Sequence, residues 1–313
     1  MKTKVVIGID TSNYTTSCAV CSLDGTVLEN YKELLPVKEG EKGLRQSDAV
    51  FAHVKNFQII SSRIKEKHAD YEIVSIGYSA YPRDVNGSYM PCFLVGQAVA
   101  EMISALYNIP SYKFSHQSGH IQAALYSAGL CIDEPFVAFH VSGGTTEIVL
   151  ATPKDNGFDV SLLGGSVDLH AGQAIDRIGV QMGISFPCGK NIEALAKENI
   201  LKIPPCKICV NGLSCNFSGL ENLSLKLYKE TADTKLVSAY MLEFISKTLI
   251  ELTKNVREKY DNIRIVYAGG VMSNKIIQKN IANKFKDVYF AKPEYSADNA
   301  CGTAILTYKS YIK

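Results

Sequence analysis

The sequence contains no uninterrupted apolar run near the roughly 18 residues that a membrane-crossing helix requires, so no bilayer-spanning segment is expected. Its start, Met1-Lys-Thr-Lys4 followed by Val5-Val6-Ile7-Gly8-Ile9, offers too short a run for a signal peptide and no small-residue cleavage site. The expected compartment is the cytosol. Charge of one sign is also lacking: 33 Lys and Arg stand against 31 Asp and Glu, a formal net charge of +2. Nothing in that balance calls for nucleic acid, and any RNA contact must be a local patch or lie on a partner. The nine cysteines lack the second Cys-x-x-Cys that would complete a zinc site with Cys206-Lys-Ile-Cys209 and Cys215, and they are expected as reduced thiols. A His-Glu-x-x-His motif and a Ser, His and Asp grouping are missing too, which leaves peptidase chemistry without support.

What is there is ample for two cores: 313 residues, 46% hydrophobic and 20% charged. Lys4–Ile9 is a β-branched strand that ends in the small polar turn Asp10-Thr11-Ser12-Asn13. Thr15–Leu23 and Thr26–Glu33 complete a meander. A helix is predicted over Arg45–Ala69, with Val50, Val54, Phe57, Ile60 and Ile64 at three- and four-residue steps. A strand at Ile73–Tyr78 and a helix at Leu94–Tyr107 follow. The meander then recurs as Phe136–Val141, the turn Ser142-Gly143-Gly144-Thr145, a strand Thr146–Ala151, the turn Asp155-Asn156-Gly157 and a strand near Phe158–Leu163. Two such patterns imply a duplicated α/β domain. Helices are expected at 171–182, 191–197, 218–228 and 234–259, the last with Leu236, Tyr240, Phe244, Leu249 and Leu252 near one stripe. A strand at Ile263–Tyr267, the turn Ala268-Gly269-Gly270, a helix capped by Ser273 and a final helix from about Ser296 complete the chain.

The stretch with the clearest chemical sense is Ser115-His116-Gln117-Ser118-Gly119-His120. Two histidines four apart on a helix project from one face and can reach one ion, but a catalytic metal usually takes a third protein ligand. The polar turns form a second pattern. Successive N–H groups in Gly- and Ser-rich turns make nests for phosphate oxygens, and Asp10 is suited to orient a metal-bound water or ion beside them. Hairpin turns favour the same residue types for purely structural reasons.

Gly8-Ile-Asp-Thr-Ser12, His140-Val-Ser-Gly-Gly-Thr145 and Ala268-Gly-Gly-Val271 resemble the two phosphate motifs and the adenosine motif of the actin, Hsp70 and sugar kinase (ASKHA) superfamily. Together with His116-x-x-x-His120, Phe217-Ser-Gly-Leu220, Gly269-Gly-Val-x-x-Asn274 and Asp298-Asn299, they resemble the TsaD-like family that makes threonylcarbamoyladenosine in tRNA, once labelled sialoglycoproteases. The resemblance runs from Lys4 to the last helix. It implies an α/β fold of two duplicated actin-like, RNase H-like domains with a cleft between them. Domain I would span 1–130 plus 291–313 and domain II 131–290. It also implies a cytoplasmic acyltransferase that moves threonylcarbamoyl from threonylcarbamoyl-AMP to N6 of adenosine 37 in ANN-decoding tRNA.

By the same resemblance His116, His120 and Asp298 hold one divalent ion, iron or zinc, which binds the adenylate phosphate and polarises the acyl carbonyl. With Asp10 they form the expected catalytic set. The substrate-binding set is Ser12, Ser142, Gly143, Gly144, Thr145 and Thr146, then Asp176 and Gly189 at the ribose, Gly269 and Gly270, and Asn274 near the adenine or its linker. ATP, ADP, AMP, a further magnesium ion, accessory proteins of the TsaB and TsaE types and a homodimer are the implied partners. His53, His68 and His170 are expected at the surface or in packing, and His140 beside the glycine turn.

Departures from the family pattern surround this set. Tyr14 and Thr15 stand where two acidic residues are usual, Ser47 and Phe51 where a glutamate and an arginine are, and Thr145 where a histidine is. Tyr81-Pro-Arg-Asp-Val-Asn86 replaces a Gly-Pro-Gly-Leu segment. The sequence therefore leaves two alternatives open: a paralogue with the same pocket that serves another acceptor as a carbamoyl transferase or ATPase, and a non-catalytic nucleotide-binding scaffold.

Overall fold

The computed structural model of the chain describes residues 2–12, 14–36, 44–155, 157–296 and 298–313, without the side chain of His68. Asn13 and Asn156, which the sequence assigns to turns, lie outside the described residues. In chain order the elements are β1 (Thr3–Asp10), β2 (Thr15–Ser22), β3 (Val27–Leu34), α1 (Gln46–Lys67), β4 (Tyr71–Tyr81), α2 (Phe93–Tyr107), β5 (Ser111–Ser115), α3 (His116–Ser127), β6 (Phe136–Val141), β7 (Thr146–Lys154), β8 (Gly157–Ser166), α4 (Ala171–Gln181), α5 (Gly189–Lys197), β9 (Cys209–Asn211), β10 (Ser214–Asn216), α6 (Ser218–Thr231), α7 (Thr234–Lys259), β11 (Ile265–Ala268), α8 (Lys275–Ala282), β12 (Val288–Phe290), α9 (Pro293–Ser296) and α10 (Cys301–Tyr311). None of these helices is long and apolar enough to cross a membrane.

Contacts divide the chain into two compact units. Unit 1 holds Met1–Cys131, Pro153–Asp159 and Ala297–Lys313, and unit 2 holds Ile132–Thr152 and Val160–Ser296. Residues 153–159 thus fall in unit 1 and 291–296 in unit 2, the reverse of the expected boundaries. The unit 1 sheet has the order β3-β2-β1-β4-β5. β1, β2 and β3 form the antiparallel meander, and β4 and β5 extend it in parallel. β1 from Val5 onward and all of β2 are buried, because helices cover both faces of the sheet. That is why these strands run apolar without alternation.

α10 packs on α3 and across β1, β2 and β4. Its approach to α3 depends on glycine: a Cβ at Gly302 would stand 1.8 Å from the Gly119 carbonyl oxygen. Only glycine permits that contact, and the contact brings the segment before α10 beside the helix that carries both histidines.

The unit 2 sheet has seven strands in the order β12-β11-β6-β7-β8-β10-β9. The short β9, β10 and β12 carry only three residues each, too few for a periodic signal in sequence. α7 buries Leu236, Tyr240, Phe244, Leu249 and Leu252 as their spacing predicts. Each such side chain contributes about 1.5–3 kcal/mol of burial.

α1 corrects a second expectation. Its buried positions are Ala49, Ala52, His53, Asn56 and Ile60, whereas Val54 is exposed. Two polar side chains occupy the inward stripe because they have a partner there: His53 Nδ1 lies 2.8 Å from Thr16 Oγ1, and Asn56 Nδ2 donates to the same oxygen at 3.1 Å. Burial, against a smaller opposing effect of Asp10, lowers the His53 pKa to about 4, so the ring is neutral. The cap of α8 is Asn274, not Ser273, and the final helix starts at Cys301.

The Phe217-Ser-Gly-Leu220 motif opens α6, and Asp168 receives its first backbone N–H groups, from Phe217 at 2.8 Å and Ser218 at 3.1 Å. Partial burial opposes ionisation of Asp168, but the Ser218 side chain and these N–H groups outweigh it and hold the carboxyl well below the usual carboxylate range.

Two variants check this packing. Gly302→Ala should force α10 away from α3 and destabilise unit 1 by on the order of 3 kcal/mol, measured by chemical denaturation. Asp168→Ala should cost about 1 kcal/mol at neutral pH. A depressed folded-state pKa stabilises above the unfolded value of about 4, so the gap between wild type and Asp168→Ala should close as pH falls below it.

Candidate metal centre and polar turns

α3 begins where Ser115 caps it, its Oγ accepting the Ser118 N–H at 3.1 Å. His116 therefore sits in the first turn and His120 one turn on, facing the same way. Asp298 precedes α10 by three residues, and Asn299 takes over helix capping by accepting the Cys301 N–H. Asp298 is thereby released toward the histidines. Its Oδ1 lies 3.1 Å from His120 Nε2 and 3.6 Å from His116 Nε2. The ligand atoms of His116, His120 and Asp298 all lie within 4.8 Å of one another.

Ligands at about 2.1 Å in a tetrahedral shell stand roughly 3.4 Å apart, so this spacing suits a zinc-sized ion. The donor set of two imidazoles and a carboxylate suits iron equally. Among the described residues no other His, Cys, Asp or Glu group meets the same criterion. Burial pushes the thiols of Cys18, Cys21, Cys215 and Cys301 up to about 12, which keeps them from serving as thiolate ligands.

Asp10 is held against the first of these histidines: its Oδ2 lies 2.7 Å from His116 Nδ1. Its Oδ1 accepts the backbone N–H of Ser12 at 2.9 Å, and the hydroxyls of Ser12 and Ser79 also donate to the carboxylate. Thr303 Oγ1 on α10 stands 3.3 Å from Ser79 Oγ. With Nδ1–H given to Asp10, His116 presents Nε2 to Asp298. This is the carboxylate–histidine arrangement that orients a metal ligand.

Burial disfavours ionisation of Asp10, yet the His116 charge and the three hydrogen bonds hold its carboxyl far below the usual range. In His116 burial likewise opposes the charge, but Asp10 and then Asp298 outweigh it and raise the pKa to about 9. For Asp298 too, burial is overcome by His120 and His116, which lower its pKa.

Ser12 is thus a buried support for Asp10 rather than an exposed substrate contact. Ser79 and Thr303 were not anticipated. The parallel pairing of Ile9 with Tyr78 sets Ser79 beside Asp10, and no local motif marks that register.

In unit 2 the turn after β6 is closed by the Ser142 N–H donating to the Thr145 carbonyl at 2.7 Å. Open space adjoins Gly143 and Gly144, so packing alone does not require glycine at either. Thr146 lies beneath the turn and accepts the Ala171 N–H. Gly269 has φ +102°, and a Cβ there would stand 2.2 Å from the Val141 carbonyl oxygen. Gly270 and Gly189 are exposed. One oxygen of Asp176 accepts the Cys188 N–H at 2.8 Å, and the Asn274 oxygen accepts from Ile276 and Ile277 at the start of α8. His140 is partly buried on β6, and His170 precedes α4 without capping it.

Two sheets, each begun by a strand meander and followed by polar turns, give the chain a two-unit, actin-like α/β fold. Solved structures of this kind resemble it at the level of fold: HypF from T. kodakarensis (TM-score 0.64, 12% identity, 99% of this chain and 48% of that one) and a ROK family glucokinase from Streptomyces griseus in complex with glucose and AMPPNP (TM-score 0.53, 12% identity, 97% and 99%). Residues 50–305 match the family "TsaD: tRNA N6-adenosine threonylcarbamoyltransferase". The chain belongs to that family, which is one of acyltransferases. A Streptococcus suis protein named tRNA N6-adenosine threonylcarbamoyltransferase is 28% identical over 323 residues, covering 100% of this chain and 94% of the relative, and a Streptococcus pneumoniae protein of the same name is 28% identical over 310 residues, covering 96% and 90%.

Asp10→Asn tests the orienting contact. It should weaken zinc binding about 10–100-fold in a chelator competition while leaving the circular dichroism spectrum unchanged.

Proposed function

We propose that this protein transfers a threonylcarbamoyl group from threonylcarbamoyl-AMP to N6 of adenosine 37 in tRNA, with one divalent ion, iron or zinc, held by His116, His120 and Asp298. The observation that carries the reading is the convergence of His116 and His120 with the sequence-distant Asp298, their ligand atoms within 4.8 Å of one another, in a chain of this family. When bound, the ion supplies Lewis-acid polarisation of the acyl carbonyl and a counter-charge for the adenylate phosphate.

The chain's own residues do the positioning. Asp10 accepts the His116 Nδ1–H and holds the ring so that Nε2 faces the ion. The N–H groups of Gly143, Gly144 and Thr145 bind phosphate oxygens, and the open space at Gly143 and Gly144 admits a phosphate close to the backbone. The Asp176 oxygen not engaged by Cys188 accepts from a ribose hydroxyl. The N6 amine then forms a C–N bond with the carbamoyl carbon, the C–O bond to phosphate breaks, AMP leaves with the electron pair and the amine proton passes to water. Catalysis of this kind rests on orientation and preorganised charge.

Accessory proteins of the TsaB and TsaE types belong to the same reading. α2 leaves Leu94, Met102 and Leu106 exposed at multiples of four residues, an apolar stripe that supports a protein contact.

Single-turnover transfer from preformed threonylcarbamoyl-AMP to unmodified tRNA, with accessory proteins added, tests the proposal. Wild type should yield modified adenosine, and His116→Ala should lose at least about 100-fold in rate, equivalent to some 2.7 kcal/mol, with its fold intact. Full activity of the variant would remove the ion from the mechanism.

A further inference from the structure

The segment between β4 and α2, residues 82–92, has no role in the chemistry above, yet both its ends are fastened to the metal-bearing helix or its neighbours. At one end the Pro82 carbonyl accepts the Gln117 N–H at 3.0 Å, one residue after His116. At the other, the Cys92 carbonyl accepts the Thr11 hydroxyl at 2.9 Å, and the Phe93 ring centroid stands 6.1 Å from that of His116.

The interior of the loop is braced as well. The Tyr81 hydroxyl hydrogen-bonds Asp84, and Lys154 pairs with the same carboxylate. Ser88 accepts the Arg83 N–H at 3.0 Å and donates its own N–H to Val85 at 3.1 Å, with Gly87 at φ +80° completing the bend.

This bracing leaves the apolar side chains outside. Val85 is 61% and Tyr89 62% exposed, and Arg83 on the same loop is exposed too. Single exposed aromatics are ordinary on protein surfaces. Here the ring lies on a braced loop that also carries Arg83, and the ends of that loop are tied beside the only His, His and Asp cluster among the described residues. Asp84 is neutralised by Lys154, so Arg83 gives the loop a positive charge. Its five donors also let it keep a protein contact while it binds a second group.

A planar surface beside a guanidinium matches one class of ligand: a nucleotide of an unpaired RNA loop, the base on the ring and a phosphodiester on the cation. We propose that residues 82–92 form the acceptor platform of this enzyme, on which Tyr89 stacks against a base of the anticodon loop while Arg83 holds a neighbouring phosphodiester. This inference rests on the tRNA acceptor proposed above and adds the residues that select it.

The test uses full-length protein and a fluorescently labelled, unmodified anticodon stem-loop of an ANN-decoding tRNA, with affinity read by anisotropy. Metal content, melting temperature and single-turnover transfer are measured on the same preparations. Tyr89→Ala should raise Kd about fivefold or more, and Tyr89→Phe should bind like wild type, as stacking requires. Arg83→Gln should raise Kd and reduce the slope of log affinity against log salt by about one.

With stem-loops made abasic at one anticodon-loop position at a time, the effect of Tyr89→Ala should vanish at one position, which a merely structural role for Tyr89 would not produce. Metal content and melting temperature should stay at the wild-type values throughout. Wild-type transfer combined with equal binding by all variants would overturn the platform alone. Absence of both binding and transfer in the wild-type protein would overturn the platform together with the tRNA reading.

Discussion

The bond between Asp10 and His116 is the constraint on which the rest of unit 1 turns. An imidazole can ligate through either nitrogen, and it presents a defined one only when the other is held. Asp10 does the holding, but a buried carboxylate is itself costly unless its oxygens are satisfied. The Ser12 N–H and the Ser12 and Ser79 hydroxyls satisfy it, Ser12 from the turn that follows β1 and Ser79 from β4. The turn after β1, the register of β4 on β1 and the start of α3 are thereby tied to one carboxylate. A change in any of them reaches the histidine.

Unit 2 is organised on backbone rather than on side chains. Its turn at Ser142–Thr145 is stitched to the start of α4 by the Gly172 N–H donating to Ser142 and by Thr146 receiving Ala171. Polar side chains predicted to meet a ligand here are partly engaged in the fold itself, as Thr146, Asp176 and Asn274 show. What remains open is main-chain N–H at glycine. Such a surface suits a phosphate, which is read by charge and distance, better than a base, which is read by its edge.

Much of this was legible in the sequence where the signal is local. The i,i+4 histidines, the two meanders and the long stripe of α7 depend on spacing within one element, and the structure has them. Asp298 was legible only through resemblance, since no spacing links it to His116. What stayed hidden depends on pairing between distant segments. Ser79 becomes a partner of Asp10 through parallel strand register, and Gly302 meets Gly119 through helix packing. The inward stripe of α1 was misjudged because hydrophobicity does not mark His53 and Asn56, whose burial depends on Thr16. Three-residue strands such as β12 have no period to read.

The close contact of α10 with α3 also sets an order of events during synthesis. His116 and His120 leave the ribosome long before Asp298, and at about 5–20 residues per second the interval is roughly 10–35 s. Through that time the nascent chain carries a paired-histidine helix with no carboxylate to complete it and a sheet whose α10-facing side is bare. Completion of the His, His and Asp cluster and closure of the first domain are thus one late step, and a chain cut short before its final helix would have neither.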